Sequence, residues 1–167
     1  MAIIKRERDC PDPPKPPHEP TLHDELVARA ARWLLGTGRC RLVLTEKVGP
    51  AGERPNATGW CASGKSILIE CKTSRADYQA DQKKIWRRAN ITMAEFRYYM
   101  TMPGLLEPLD LPSGWGLLEV LPKIVRVSKV AIYMPMSLYA RNAERMMLIS
   151  EARPDTPYQA QWRAADG

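Results

Sequence analysis

Glu70 and Lys72 stand two apart at the end of the apolar run Ser66-Ile-Leu-Ile-Glu-Cys-Lys72, and Asn56 lies upstream in Arg54-Pro-Asn-Ala-Thr-Gly-Trp60. Side chains on a strand alternate between faces, so Glu70 and Lys72 share one face while Ile67, Ile69 and Cys71 share the other. The apolar set can enter a core; the charged pair must face something polar. Phosphodiester hydrolysis suits such a pair. A carboxylate holds a hard divalent cation such as Mg2+ or Mn2+, and an ammonium stabilises charge developing on phosphate or positions the attacking water. One carboxylate is too little for Mg2+, so a second oxygen ligand is expected from a neighbouring strand. Asn56 holds that position, yet its amide offers a neutral oxygen where the ion favours a negative one.

These residues need elements to place them. Thr21 follows Pro20 and can cap a helix, with Asp24 as the acidic member of a capping box. The helix is expected to run to about residue 35 and stop at Gly36-Thr-Gly38, with Leu22, Leu26, Trp33 and Leu34 on its buried side and Glu25 at the edge of that stripe. Residues 41–45, 56–60 and 66–72 read as strands. Pro55 stiffens the approach, Gly59 permits a tight bend, and the short link 61–65 makes the last two strands antiparallel neighbours. After Ser74, an N-cap with Asp77 at the third helical position, a helix presents Tyr78, Gln82, Ile85 and Trp86 at helical spacing. Its other faces carry Lys83, Lys84, Arg87 and Arg88. Strands over 96–101, 115–121 and 124–130 and a last helix over 137–151 complete an α-β-β-β-α-β order with extra C-terminal elements, an α/β protein with a mixed sheet packed by helices.

The chain has 167 residues and a formal charge of +6, which suits one domain and favours a polyanionic partner over an acidic one. Residues 1–20 form a charged, proline-dense arm (CPDPPKPPHEP), 21–152 the folded domain, and 153–167 a polar tail. Cys10, Cys40, Cys61 and Cys71 are scattered singly, as reduced thiols would be, and His18 and His23 offer little to a His-based metal site or triad. No apolar run approaches membrane-span length, and the start lacks a signal peptide's apolar stretch, so a cytoplasmic location without membrane contact is expected.

A proline-acid pair followed about a dozen residues later by Glu-x-Lys at the end of an apolar strand is the signature of the PD-(D/E)XK nuclease superfamily, which the chain resembles from Thr21 to about Val130, with Asn56 at the usual Asp position. The run Glu70-Cys-Lys-Thr-Ser-Arg-Ala-Asp-Tyr-Gln-Ala-Asp-Gln-Lys-Lys84 is similar to the MmcB-like DNA repair branch, as are residues 96–104 (FRYYMTMPG) before Gly114-Trp-Gly116. The resemblance implies a restriction-endonuclease-like αβββαβ core in which Glu70 and the Cys71 carbonyl bind Mg2+ or Mn2+, Lys72 assists hydrolysis, Glu25 completes the site from the first helix, and Gln82 faces it. The substrate so implied is DNA, cut without strict sequence selection; a homodimer or a repair or replication partner stays open.

Plainer accounts stand beside these. Glu25 can be a solvated carboxylate and Gln82 a solvated amide. Trp60, Trp86 and Trp115 suit the core better than base stacking. Lys83, Lys84, Arg87 and Arg88 can be a solvated face, although four cations beside a phosphate-cleaving site favour contact with a DNA backbone. For Asn56 three readings compete: a deliberate inactivating substitution, a natural descendant that only binds, or a site working with Glu25 and Glu70 alone. The isosteric change beside intact Glu70, Lys72 and Ser74 favours the first. The rival function is a catalytically silent nuclease-fold module that binds DNA or a protein partner.

Overall fold

A computed structural model describes residues 19–49, 52–88 and 91–151, with the Arg88 side chain excepted. The expected C-terminal tail and all but the end of the N-terminal arm lie outside the described residues.

Helix α1 (Leu22–Leu35) starts at Thr21, whose hydroxyl accepts the Asp24 N–H while the Asp24 carboxylate accepts the Thr21 N–H, the expected capping box. It buries Leu26, Val27, Ala30 and Leu34; Leu22, expected in that stripe, stays exposed on the first turn. Strands β1 (Cys40–Thr45), β2 (Ala57–Cys61) and β3 (Ser66–Lys72) form an antiparallel meander. β4 (Phe96–Thr101) returns parallel to β3, β5 (Gly116–Val120) runs parallel to β4, and β6 (Val125–Lys129) closes antiparallel. The six strands lie in sequence order in one mixed sheet, so the α+β class with its αβββαβ core is the architecture present.

Strand alternation divides the core cleanly. Ala57, Ile69, Cys71, Tyr98, Met100, Leu118 and Val120 pack under α1 on one face. Trp60, Leu68, Tyr99, Leu117 and Trp115 pack on the other, with Tyr78 from helix α2 (Arg75–Gln82) and Ala143 and Met147 from helix α4 (Leu138–Glu151). Trp60 and Trp115 are therefore core residues. Gly59 has a role other than the expected bend: a Cβ there would stand 2.6 Å from Cys40 Sγ on β1 and 3.3 Å from Leu34 Cδ2 on α1. Bare backbone is what lets the first helix and two strands close together.

The single helix expected after Ser74 is broken. Ser74 caps α2 as expected, accepting the Asp77 N–H, but the chain tightens at Lys83 and Lys84 before a short helix α3 (Ile85–Arg88). The N–H groups of Lys83 and Lys84 bond three residues back, to Ala80 and Asp81. A tighter turn shifts the phase of everything after it. Ile85, expected on one face with Tyr78, Gln82 and Trp86, is thrown outward at 67% exposure, and Arg87, expected on another face with the lysines, is turned inward.

Candidate functional site

Glu70 and Lys72 project from the face of β3 opposite α1, where α2 and α3 cover them, and both are nearly inaccessible, at 2% and 3% exposure. Lys72 Nζ lies 3.3 Å from Glu70 Oε2, 3.5 Å from Asp81 Oδ1 and 3.7 Å from Asp77 Oδ1. At the centre stands Arg87. Its Nη2 donates to Glu70 Oε1 at 2.6 Å, its Nη1 to Glu53 Oε1 at 2.5 Å and its Nε to Asp81 Oδ2 at 2.9 Å. The guanidinium also lies 4.8 Å from the centre of the Trp115 ring, which stacks on Tyr99.

Each carboxylate has a second anchor. Glu53 Oε2 accepts the Met93 N–H at 3.0 Å, and Asp81 Oδ2 accepts the Tyr99 hydroxyl at 2.8 Å, to which Gln82 Nε2 donates in turn at 2.7 Å. Lys84 Nζ reaches Asp81 Oδ1 at 2.8 Å from the rim. Glu53, Glu70 and Asp81 thus meet Arg87, Lys72 and the rim residue Lys84, with Asp77 beside Lys72 and the buried Arg97 acting electrostatically on Glu53. Burial works against ionisation of Asp81, but Arg87 and Lys72 overcome it and hold the carboxyl well below the usual carboxylate range. At Glu53 burial prevails, and Arg87 with the Met93 N–H offsets it only in part, so that carboxyl sits above its ordinary value. Burial also opposes the charge on Arg87, yet Glu70, Asp81 and Glu53 bind the proton more firmly than water would.

The residues expected to form a metal site do not all meet here. Asn56 precedes Ala57, which pairs with Ile69, but its side chain does not face the Glu70–Lys72 pair as expected. Its side chain is committed elsewhere: Oδ1 accepts the Cys71 N–H at 2.8 Å, and Nδ2 lies 3.3 Å from His23 Nε2 on α1. Glu25 does not join them. It is exposed on α1, beside Pro20, Leu22 and Ala28, and α1 covers the sheet face opposite Glu70. Cys71 turns its thiol into the α1-side core, which leaves only its main chain near the site. Gln82 faces the cluster but acts through Tyr99.

The expected basic face is also corrected. Arg87 is an internal ion-pair partner at 3% side-chain exposure and cannot meet a DNA backbone, because the tightened turn points it inward. Lys84 is tied to Asp81 and lies 5.9 Å over the Trp86 ring. Lys83 is exposed, and the Arg88 side chain lies outside the described residues. The sequence reading missed Glu53, Asp81 and Tyr99. Asp81 could have been found, since it follows Tyr78 by three residues on the buried stripe of α2; Glu53 lies in an irregular approach where no periodicity marks it.

A divalent ion does not fit this donor set as arranged. Glu53, Glu70 and Asp81 already direct oxygens at one guanidinium, and Asn56 Oδ1 is taken by the backbone. Among the described residues no group of three or more His, Cys, Asp or Glu side chains is arranged to hold a metal ion. Nor is any described helix long and apolar enough to cross a membrane.

No protein-family model matches the chain, and no curated protein matches it. Among solved structures the chain is similar to the SPO1766 protein of unknown function from Silicibacter pomeroyi, at 25% identity and a TM-score of 0.59 over 77% of this chain and 84% of that one.

Proposed function

We propose that the chain is a DNA-binding domain on a nuclease-like fold whose hydrolytic centre is held silent. One observation carries the reading. Glu70 and Lys72 stand together at the end of β3, across from residue 56, where the PD-(D/E)XK resemblance puts a hydrolytic pair, yet Arg87 and Lys72 neutralise the carboxylates internally. The charge of +6 supports a polyanionic ligand, and Lys83 with the rim residue Lys84 marks the side of the site on which phosphates would approach. A role in DNA repair and a cytoplasmic location belong to the same proposal and rest on the MmcB-like resemblance.

The test is DNA binding in EDTA, followed by fluorescence anisotropy across a salt series. Affinity should fall steeply with salt, and Lys83→Glu with Lys84→Glu should weaken binding to all sequences alike. Binding indifferent to both would remove the reading. A second reading, metal-dependent DNA cleavage, is favoured by the convergence of Glu70, Lys72 and Asp81 at one strand end. It requires nicking of plasmid or branched DNA with Mg2+ or Mn2+ that Glu70→Gln abolishes, in the protein as it stands or after Asn56→Asp.

A further inference from the structure

We propose that the cleft between the C-terminal half of α1 and the turn from β5 to β6 binds a nucleoside phosphate. Arg29, Arg32, Trp33 and Thr37 line it from the helix side, and Lys123 and Ile124 from the turn, around a cavity of about 610 Å3. Small-molecule sites span roughly 300–1,000 Å3. The cleft lies on the α1 side of the sheet, away from the face that carries Glu70 and Lys72, so the proposal stands whether or not DNA is bound there.

The lining is rich in cations and donors and has no acid. Neither Asp nor Glu borders the cleft, and among the described residues Arg29, Arg32 and Lys123 have no carboxylate within ion-pair distance. Arg29 fixes the shape. Its Nη2 donates to the Leu121 carbonyl at 2.5 Å and the Ile124 carbonyl at 3.2 Å, and its Nη1 to the Pro122 carbonyl at 3.4 Å, which ties the turn to the helix. Those acceptors are neutral, so the guanidinium charge stays unmatched. Arg29 Nε and Trp33 Nε1 are closed off from solvent and have no hydrogen-bond partner among the described residues. The carbonyl end of α1 opposes an anion, and Arg32 in the last turn offsets it. A phosphate brings negative charge and acceptor oxygens only, the complement of this wall, and three cations suit two linked phosphates better than one carboxylate. Trp33, half-buried and packed edge-on against Tyr98 at 5.5 Å between ring centres, forms with Ile124 the apolar side on which a base can rest.

Isothermal titration calorimetry of the full chain in EDTA tests this with ADP, pyrophosphate and a short single-stranded DNA. ADP should bind at a single site and more tightly than pyrophosphate. The double variant Arg32→Glu/Lys123→Glu should weaken ADP binding about tenfold or more, and Arg32→Gln/Lys123→Gln should weaken it too, whereas Lys83→Glu/Lys84→Glu should leave it unchanged. Arg32 and Lys123 are exposed, so the variants should keep the parent's circular dichroism spectrum and thermal midpoint. On ADP binding the indole N–H resonance of Trp33, identified by its loss in Trp33→Phe, should shift. Absence of ADP binding overturns the proposal. So do equal losses in the two charge-reversed double variants, pyrophosphate binding as tight as that of ADP, and binding of the DNA without binding of ADP.

Discussion

Asn56 Oδ1 accepts the backbone N–H of Cys71 at 2.8 Å, so the residue standing across from Glu70 serves the main chain of β3. The bond joins the irregular approach to β2 with the strand that carries the Glu-x-Lys pair. Its donor lies under α1, where Cys71 is 1% exposed.

Asn56→Ala leaves that buried N–H unpaired and should cost about 1–3 kcal/mol in chemical unfolding. Asn56→Asp keeps an acceptor in place and should cost less. An alanine variant as stable as its parent would show that the bond contributes nothing.

Asp81 gives the fold an acid limit. Burial raises its carboxyl, but Arg87 and Lys72 outweigh burial and depress it below its unfolded value. A depressed acid contributes stability that is complete above the unfolded value, about 3.9, and disappears as pH falls through the folded value. Unfolding free energy measured between pH 7 and pH 2 should therefore decline below about pH 4 through this group. In Asp81→Asn that part of the decline should be missing, from a lower plateau. Identical slopes in the two proteins would contradict it.

Gly59→Ala places a methyl 2.6 Å from Cys40 Sγ and 3.3 Å from Leu34 Cδ2 in a closed part of the core. A loss of about 1–3 kcal/mol is expected from overpacking. Adding Cys40→Ala removes the sulfur and should restore part of it. Thermal unfolding of the single and double variants reads this directly, and a neutral Gly59→Ala would mean that β1 and α1 can move apart freely.

Cys40 and Cys71 should resist alkylation in the native protein. Burial, reinforced by the hydrogen bond and charge of Cys61, pushes the Cys40 thiol up to about 12, and burial raises Cys71 further. Little thiolate exists at either site at pH 8. Iodoacetamide labelling followed by peptide mapping should find both slow in the folded state and fast in denaturant. Equal rates in the two states would show that these thiols are open to solvent.

What was legible in the sequence was local. Thr21 and Ser74 cap their helices because their hydroxyls meet an N–H three residues on, a relation contained within one turn. The period of two in residues 66–72 already separated Ile67, Ile69 and Cys71 from Glu70 and Lys72, and the two core faces follow that division. Partners were not legible. Glu53 meets Arg87 across 34 residues and Glu70 meets it across 17, and no spacing within either segment encodes the meeting. Only the tertiary structure decided that Glu25 lies with α1 behind the sheet, and that a short tight turn rotates Arg87 out of the basic face and into the acidic centre. The physical reason is one of range. Caps and alternation are set by bonds between near neighbours, whereas a buried charge takes whatever counter-charge the packed sheet and helices bring within about 3 Å.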